Sequence, residues 1–190
     1  MDTNTADQIL ACARELVVNG GYNGFSYADI AVVVGIRKAS IHHHFPSKVD
    51  LMVELVRRYR ADLQAGLAAM EASEPTAIGA LERYAGTWEA CIADGSVPFC
   101  VGAMLASELP ALPPELAAEV RAHFRVLSDW LAGVIARGLA SGELAMPGDA
   151  RTSAEAFMAT VHGAMLSARA YGTPETFGLI VTPMLQRMRA

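Results

Sequence analysis

Residues 37–44 place Arg37, Lys38, Ala39, Ser40, His42, His43 and His44 almost side by side. Arg and Lys neutralise phosphates, Arg can bond a guanine edge with two N–H groups, and Ser or His can reach bases or phosphates. Lys48 and Tyr27, close by in the chain, offer a further cation and a hydroxyl for phosphate contact. This is nucleic-acid chemistry. The rival reading of three adjacent histidines is a metal site or a coincidence. Consecutive helical residues point about 100° apart and cannot all meet one ion, so no metal is expected.

A second chemistry centres on Cys100, which opens the apolar stretch FCVGAMLASEL. A helix amino terminus there would favour the thiolate, the nucleophilic form. The alternative is a small buried filler. With His123 or His162 as base, Cys100 also defines an enzyme reading. The chain lacks G-x-S-x-G, a Gly-rich phosphate loop and metal-ligand spacing, so neither an enzyme nor a cofactor is expected. Tyr84, Trp88, Met104, Phe124, Leu127, Phe157 and His162, with Cys100, are candidates to line a cavity for a small apolar or aromatic ligand. Each also reads as core, and His162 as a satisfied structural histidine.

These side chains need helices to carry them. Ser26 and Asp29 form an S-x-x-D start signal, Ile30, Ala31 and Val34 share one face, and Gly35 suits the left-handed turn that stops a helix. A second short helix over about Lys38 to His44 turns Ile41, with Phe45 just beyond it, to the core, and Pro46 ends it. Ser47 and Asp50 repeat the start signal for a long helix to about Met70. Two short helices around a glycine turn, the second rich in hydrogen-bonding side chains, make a helix-turn-helix with its recognition helix. A helix over about residues 4–19 (Ile9, Ala13, Leu16, Val17) braces them through Phe25, Ile30, Ile41 and Phe45.

Further on, the apolar spacing predicts helices over about 76–93, 99–109, 114–141, 150–171 and 175–189, with breaks at Gly95, Pro98, Pro110, Gly142 and Gly172. The chain is thus expected to be all-α, with about nine helices: a helix-turn-helix domain over 1–48 and a larger helical domain over 49–190. The last two helices are rich in small apolar residues. They can pack within their own domain, or pair with a second copy as a four-helix bundle.

At 190 residues, 53 % hydrophobic and 18 % charged, the chain can bury a real core. No apolar run reaches the roughly 18 residues of a membrane span, and the opening MDTNTADQ has no signal-peptide pattern. Three cysteines without C-x-x-C spacing suit a reducing cytoplasm. The net charge of −5 is uneven: residues 35–60 hold six basic and two acidic side chains, a local +4. Phosphates would be met there, although a solvated helix face would look the same.

The run G-F-S-Y-A-D-I-A…V-G-I…K-A-S-I-H-H-H-F-P-S-K resembles the amino-terminal signature of the TetR family of bacterial repressors, over roughly the first 50 residues. The resemblance implies DNA contacts at positions 37–44 and 48, and departs where relatives carry Tyr in place of His42 or His43. It implies a homodimer through the last two helices, a palindromic double-stranded operator and release by a small-molecule inducer. The Cys100 stretch is similar to one in TetR-like repressors that sense electrophiles or oxidants. The expected function is therefore a cytoplasmic, ligand- or redox-responsive transcriptional regulator, with a helical ligand-carrying or interaction protein as the alternative.

Overall fold

A computed structural model describes residues 5–97 and 99–190. Among them are nine α-helices: α1 (Thr5–Gly20), α2 (Tyr27–Val34), α3 (Lys38–His44), α4 (Lys48–Ser73), α5 (Ala77–Ala93), α6 (Val101–Ser107), α7 (Pro114–Ser141), α8 (Ala150–Tyr171) and α9 (Thr176–Met188). Single 3-10 turns occupy Tyr22–Gly24 and Leu109–Ala111. The expected all-α architecture holds throughout. The break at Pro98 and a helix start at residue 4 lie outside the described residues.

The start and stop signals act as their chemistry requires. Ser26 Oγ accepts from the Ala28 N–H at 3.2 Å, while the Asp29 carboxylate accepts from the Ser26 N–H at 2.7 Å. Ser47 and Asp50 repeat the arrangement, with the Asp50 carboxylate 2.9 Å from the Ser47 nitrogen and the Asp50 N–H donating to Ser47 Oγ. Each such cap stabilises its helix by about 1 kcal/mol. Gly35 adopts φ 74°, and its N–H and that of Ile36 both donate to the Ala31 carbonyl. α6 is shorter than its apolar run, because the chain leaves helical geometry at Glu108 and tightens into the turn around Pro110. Pro183 lies inside α9, a break that the apolar spacing passes over.

The chain forms two compact units. The first holds residues up to Ala61 together with Cys100–His123; the second holds Asp62–Phe99 and Phe124–Ala190. The first unit thus joins two separate stretches of the chain. α6 packs on α1, and Glu119 of α7 accepts from Arg57 (2.8 Å) and Arg60 (2.6 Å) of α4. Its core contains Ile9, Ala13, Val17, Phe25, Ile30, Ile41, Phe45, Leu51 and Met52, all buried. In the second unit, α9 packs on α8 and α5. The chain end pairs with the α7–α8 connection through the Ala145 N–H to Met188 carbonyl bond. Among the described residues no helix is long and apolar enough to cross a membrane.

Gly35 tests how far the turn depends on backbone alone. A Cβ there would meet nothing within 4 Å, so any cost comes from φ and not from crowding. Gly35→Ala is expected to lower stability by about 1–2 kcal/mol, read as a fall in melting temperature, with Gly20→Ala as the helical control.

Candidate nucleic-acid interface and ligand region

α3 has seven residues, and only Ile41 among them is fully buried. Ile41, with Phe45 just beyond the helix, anchors α3, and this leaves the rest of the helix outward. Arg37, Lys38, Ala39, Ser40, His42, His43 and His44 are all exposed. His42 Nδ1 lies 3.1 Å from the Pro46 carbonyl, and its ring meets that of Tyr27 edge-on at 4.8 Å. His43 and His44 have ring centroids 5.6 Å apart. Among the described residues no three His, Cys, Asp or Glu side chains come together as metal ligands would.

Two expected phosphate contacts are placed differently. Tyr27 is only 8 % exposed, and its hydroxyl donates to the Phe45 carbonyl at 2.9 Å. Burial, then the Asp50 charge, pushes its pKa up to about 12, so it is a neutral strut between α2 and the end of α3. Lys48 is half-buried and turned inward. Its ammonium donates to the Phe25 carbonyl and lies 3.9 Å from the Phe25 ring centroid and 4.8 Å from that of Tyr22. Burial lowers the Lys48 pKa, and the Asp29 and Glu108 charges oppose that shift.

The local +4 is also smaller than it looks in the sequence. Arg57 and Arg60 share Glu119, and Arg58 pairs with Asp7 and Glu54, both at 2.7 Å. With Lys48 turned inward, Arg37 and Lys38 remain as the outward cations of the α3 surface.

Cys100 caps the start of α6 as expected, but its surroundings oppose a thiolate. It is 2 % exposed, and burial pushes its thiol pKa up. The Tyr59 hydroxyl donates to Sγ at 3.6 Å, and backbone N–H groups and the Arg14 charge also favour the thiolate, without prevailing over burial. Tyr59 is stacked on His123 at 5.2 Å, with the Arg14 guanidinium 5.4 Å from its ring centre. The His123 ring fills the space where a Gly102 Cβ would stand, 2.6 Å from it. Tyr59 and Arg14 escaped the sequence reading because they lie on α4 and α1, forty or more residues from Cys100. Cys12 is buried with a raised pKa, and Cys91 is half-buried.

Of the expected ligand-lining residues, Cys100 and Met104 belong to the first unit and the others to the second. In the second unit, Tyr84 meets Phe157 (6.3 Å) and Trp130 (5.8 Å), and Phe124 meets His162 (5.3 Å). Leu127 is buried and Trp88 half-buried. Trp130 was missed because it falls off the apolar stripe of α7. His162 Nε2 and Trp130 Nε1 are sealed from solvent without a protein hydrogen-bond partner. Burial lowers the His162 pKa from 6.5 to about 4, keeping the ring neutral.

A seven-residue helix anchored by one residue of its own, following a capped helix and a left-handed glycine, with an outward polar face, defines a helix-turn-helix DNA-binding protein. The pattern described as "Bacterial regulatory proteins, tetR family" matches residues 9–55, and that of "Tetracyclin repressor-like, C-terminal domain" matches residues 77–183. A TetR-family regulator from Agrobacterium tumefaciens is similar at 60 % identity and TM-score 0.96, over 98 % of each chain. One from Legionella pneumophila is 30 % identical, with TM-score 0.88 over 100 % of both chains. The reduced form of Escherichia coli NemR shares the fold at 19 % identity, TM-score 0.85 and 98 % coverage of each chain. No curated protein matches the chain. The chain belongs to the TetR family of bacterial transcriptional regulators.

Two outcomes follow from the buried groups. In the native protein a thiol reagent such as 5,5′-dithiobis(2-nitrobenzoate) is expected to label Cys91 at least about tenfold faster than Cys100 at pH 8; fastest labelling at Cys100 would contradict its burial. For His162, the unfolded chain takes a proton between pH 6.5 and about 4 that the folded chain refuses. Its contribution to stability is complete above 6.5 and is lost as pH falls towards 4. Melting temperatures of His162→Leu protein should fall less steeply than wild type across that window.

Proposed function

We propose that the protein is a dimeric repressor that reads a two-fold-symmetric DNA operator and is released by a small apolar or aromatic ligand. The outward face of α3 carries this reading. Ile41 and Phe45 satisfy the core, which leaves Arg37, Lys38, Ser40, His42 and His43 exposed, with His42 also meeting the Pro46 carbonyl and the Tyr27 ring. In a major groove such a helix places bidentate and single donors at base edges, while flanking cations meet phosphates. Tyr27 and Lys48 act in this account as supports for α3 and not as contacts in the state described.

Dimerisation through α8 and α9 is supported by the apolar surface that those helices leave open. Leu166 is 58 % exposed, and Tyr171 and Leu179 are each 74 % exposed. Ala159, Gly163 and Ala170, small and exposed on α8, permit close approach of a second helix. A symmetric pair then presents two recognition helices to successive grooves.

The ligand would enter the aromatic region of the second unit. His162 Nε2 and Trp130 Nε1, buried without protein partners, favour a ligand that brings hydrogen-bonding groups into an otherwise apolar setting. Release from DNA requires that the ligand prefer the non-binding state. Burial and the raised thiol pKa disfavour reaction at Cys100. A cytoplasmic location accords with such a role.

The test is fluorescence anisotropy with DNA flanking the protein's own gene against scrambled DNA, across a salt series. Two protomers should bind each flanking duplex, more tightly than scrambled DNA. Lys38→Ala should reduce the slope of log affinity against log salt by about 1 per protomer. Equal weak binding to both DNAs, followed by failure of a genome-fragment selection, would overturn the reading.

A further inference from the structure

His42 is held where its neighbours on α3 are not. Its Nδ1 lies 3.1 Å from the Pro46 carbonyl, and its ring stands edge-on to that of Tyr27, with centroids 4.8 Å apart. Tyr27 is itself fixed, buried and bonded to the Phe45 carbonyl. A carbonyl oxygen only accepts, so the bond requires a proton on Nδ1. The neutral ring is then the Nδ1–H tautomer, and Nε2, across the ring, is left for an outside partner. Among the described residues Nε2 has no hydrogen bond, and His42 is exposed.

Fixing Nδ1 decides what Nε2 can do. In the neutral ring it accepts, and in the imidazolium it donates. DNA offers acceptors on every phosphate and on the O6 and N7 edge of guanine, whereas donors in the major groove are confined to the adenine and cytosine amino groups. Its negative charge also favours the charged form of a nearby base. Histidine is the side chain whose charge changes between pH 5 and 8.

We propose that His42 makes DNA binding proton-linked: it docks as imidazolium, with Nε2 donating to an acceptor on the DNA, and takes up a proton from solvent as the complex forms. The inference rests on the DNA-binding reading above and adds an input to it, the surrounding pH. The charges around the ring are few. Tyr27 of α2 is neutral, and Asp50 of α4 acts on it from behind. Lys38, one turn earlier on α3, is balanced in part by Asp29 of α2. Among the described residues no carboxylate pairs with His42, so an anionic partner for Nε2 has to come from outside the chain. His43 and His44 lack a bond of this kind, and with ring centroids 5.6 Å apart a proton on one opposes a proton on the other.

Two measurements test the proposal. In 15N-labelled free protein at pH 8, long-range 1H–15N correlation of the imidazoles should show His42 as the Nδ1–H tautomer. At pH 7 the same correlation should show His42 more protonated in the DNA complex than in the free protein. The second measurement is anisotropy with flanking DNA from pH 6 to 8, using wild type, His42→Gln, His42→Tyr and His43→Gln. Gln and Tyr keep a hydrogen-bonding group that does not titrate in this range. Wild type should bind at least about tenfold more tightly at pH 6 than at pH 8, because the bound state holds more protons than the free one. Both His42 variants should reduce that ratio to about threefold or less, and His43→Gln should keep it. In proteins that keep His42 the salt slope should be steeper at pH 6 than at pH 8, by up to about 0.9 per protomer.

An Nε2–H tautomer at His42, or no gain in its protonation on DNA, would overturn the proposal. So would His42 variants that keep the wild-type ratio, since the proton would then be taken up elsewhere. Wild-type affinity that is flat or rises with pH would also overturn it, as the sign of a neutral Nε2 accepting from a base. Sequence-selective binding with a flat pH profile sinks this inference alone, whereas failure to bind any DNA at any pH sinks the DNA-binding reading and this inference with it.

Discussion

A helix of seven residues cannot hold itself together in water, since isolated helices need roughly 12–15 residues to be even marginal. α3 exists because Ile41 and Phe45 are pinned in the small core of Ile9, Ala13, Val17 and Ile30. The pinning uses few side chains, and this leaves the others outward, where the proposed DNA contact needs them. The rest of the first unit serves that constraint. Ser26–Asp29 and Ser47–Asp50 fix the helices on either side, Gly35 sets the turn, and the buried Tyr27 hydroxyl holds the chain at Phe45 where α3 ends.

Electrostatics in this unit is mostly spent internally. Three of the six basic residues in 35–60 are paired with Asp7, Glu54 and Glu119, and exposed pairs such as those of Arg58 stabilise by at most about 1 kcal/mol each. What they accomplish is positional. Arg57 and Arg60 tie α4 to α7 through one carboxylate, and Lys48 ties the start of α4 to the segment before α2. The outward face of α3 is left with Arg37 and Lys38 beside Ser40 and three histidines. In the proposed role, such a surface would lean on base contacts more than on counterion release.

The legible and illegible parts of the molecule divide by range. Caps, glycine turns and apolar spacing are local, so the α2 start at Ser26, the turn at Gly35 and the extent of α3 and α8 were readable from neighbouring residues. The outward set from Arg37 to His44 was readable too, because a two-point anchor leaves nowhere else for them. Tyr27 and Lys48 were expected to face phosphate, and here tertiary partners decide: the Phe45 and Phe25 carbonyls. Of the two readings of Cys100, reactive thiolate and buried filler, its place at the start of α6 suits the first, while its burial, with the Tyr59 hydroxyl bonded to it, suits the second. Trp130 lay off the apolar stripe, and its importance shows only when Tyr84 is seen beside it.

The central claim is that two outward α3 surfaces, related by a two-fold axis, read one DNA site. Hydroxyl-radical footprinting of the flanking DNA with the purified protein tests it most directly. The account predicts two protected half-sites of inverted sequence, centred about one helical turn or a small multiple apart, with protection lost at both when Lys38 and His43 are replaced by Ala. Protection of a single unsymmetrical patch, or a footprint unchanged by those replacements, would contradict it.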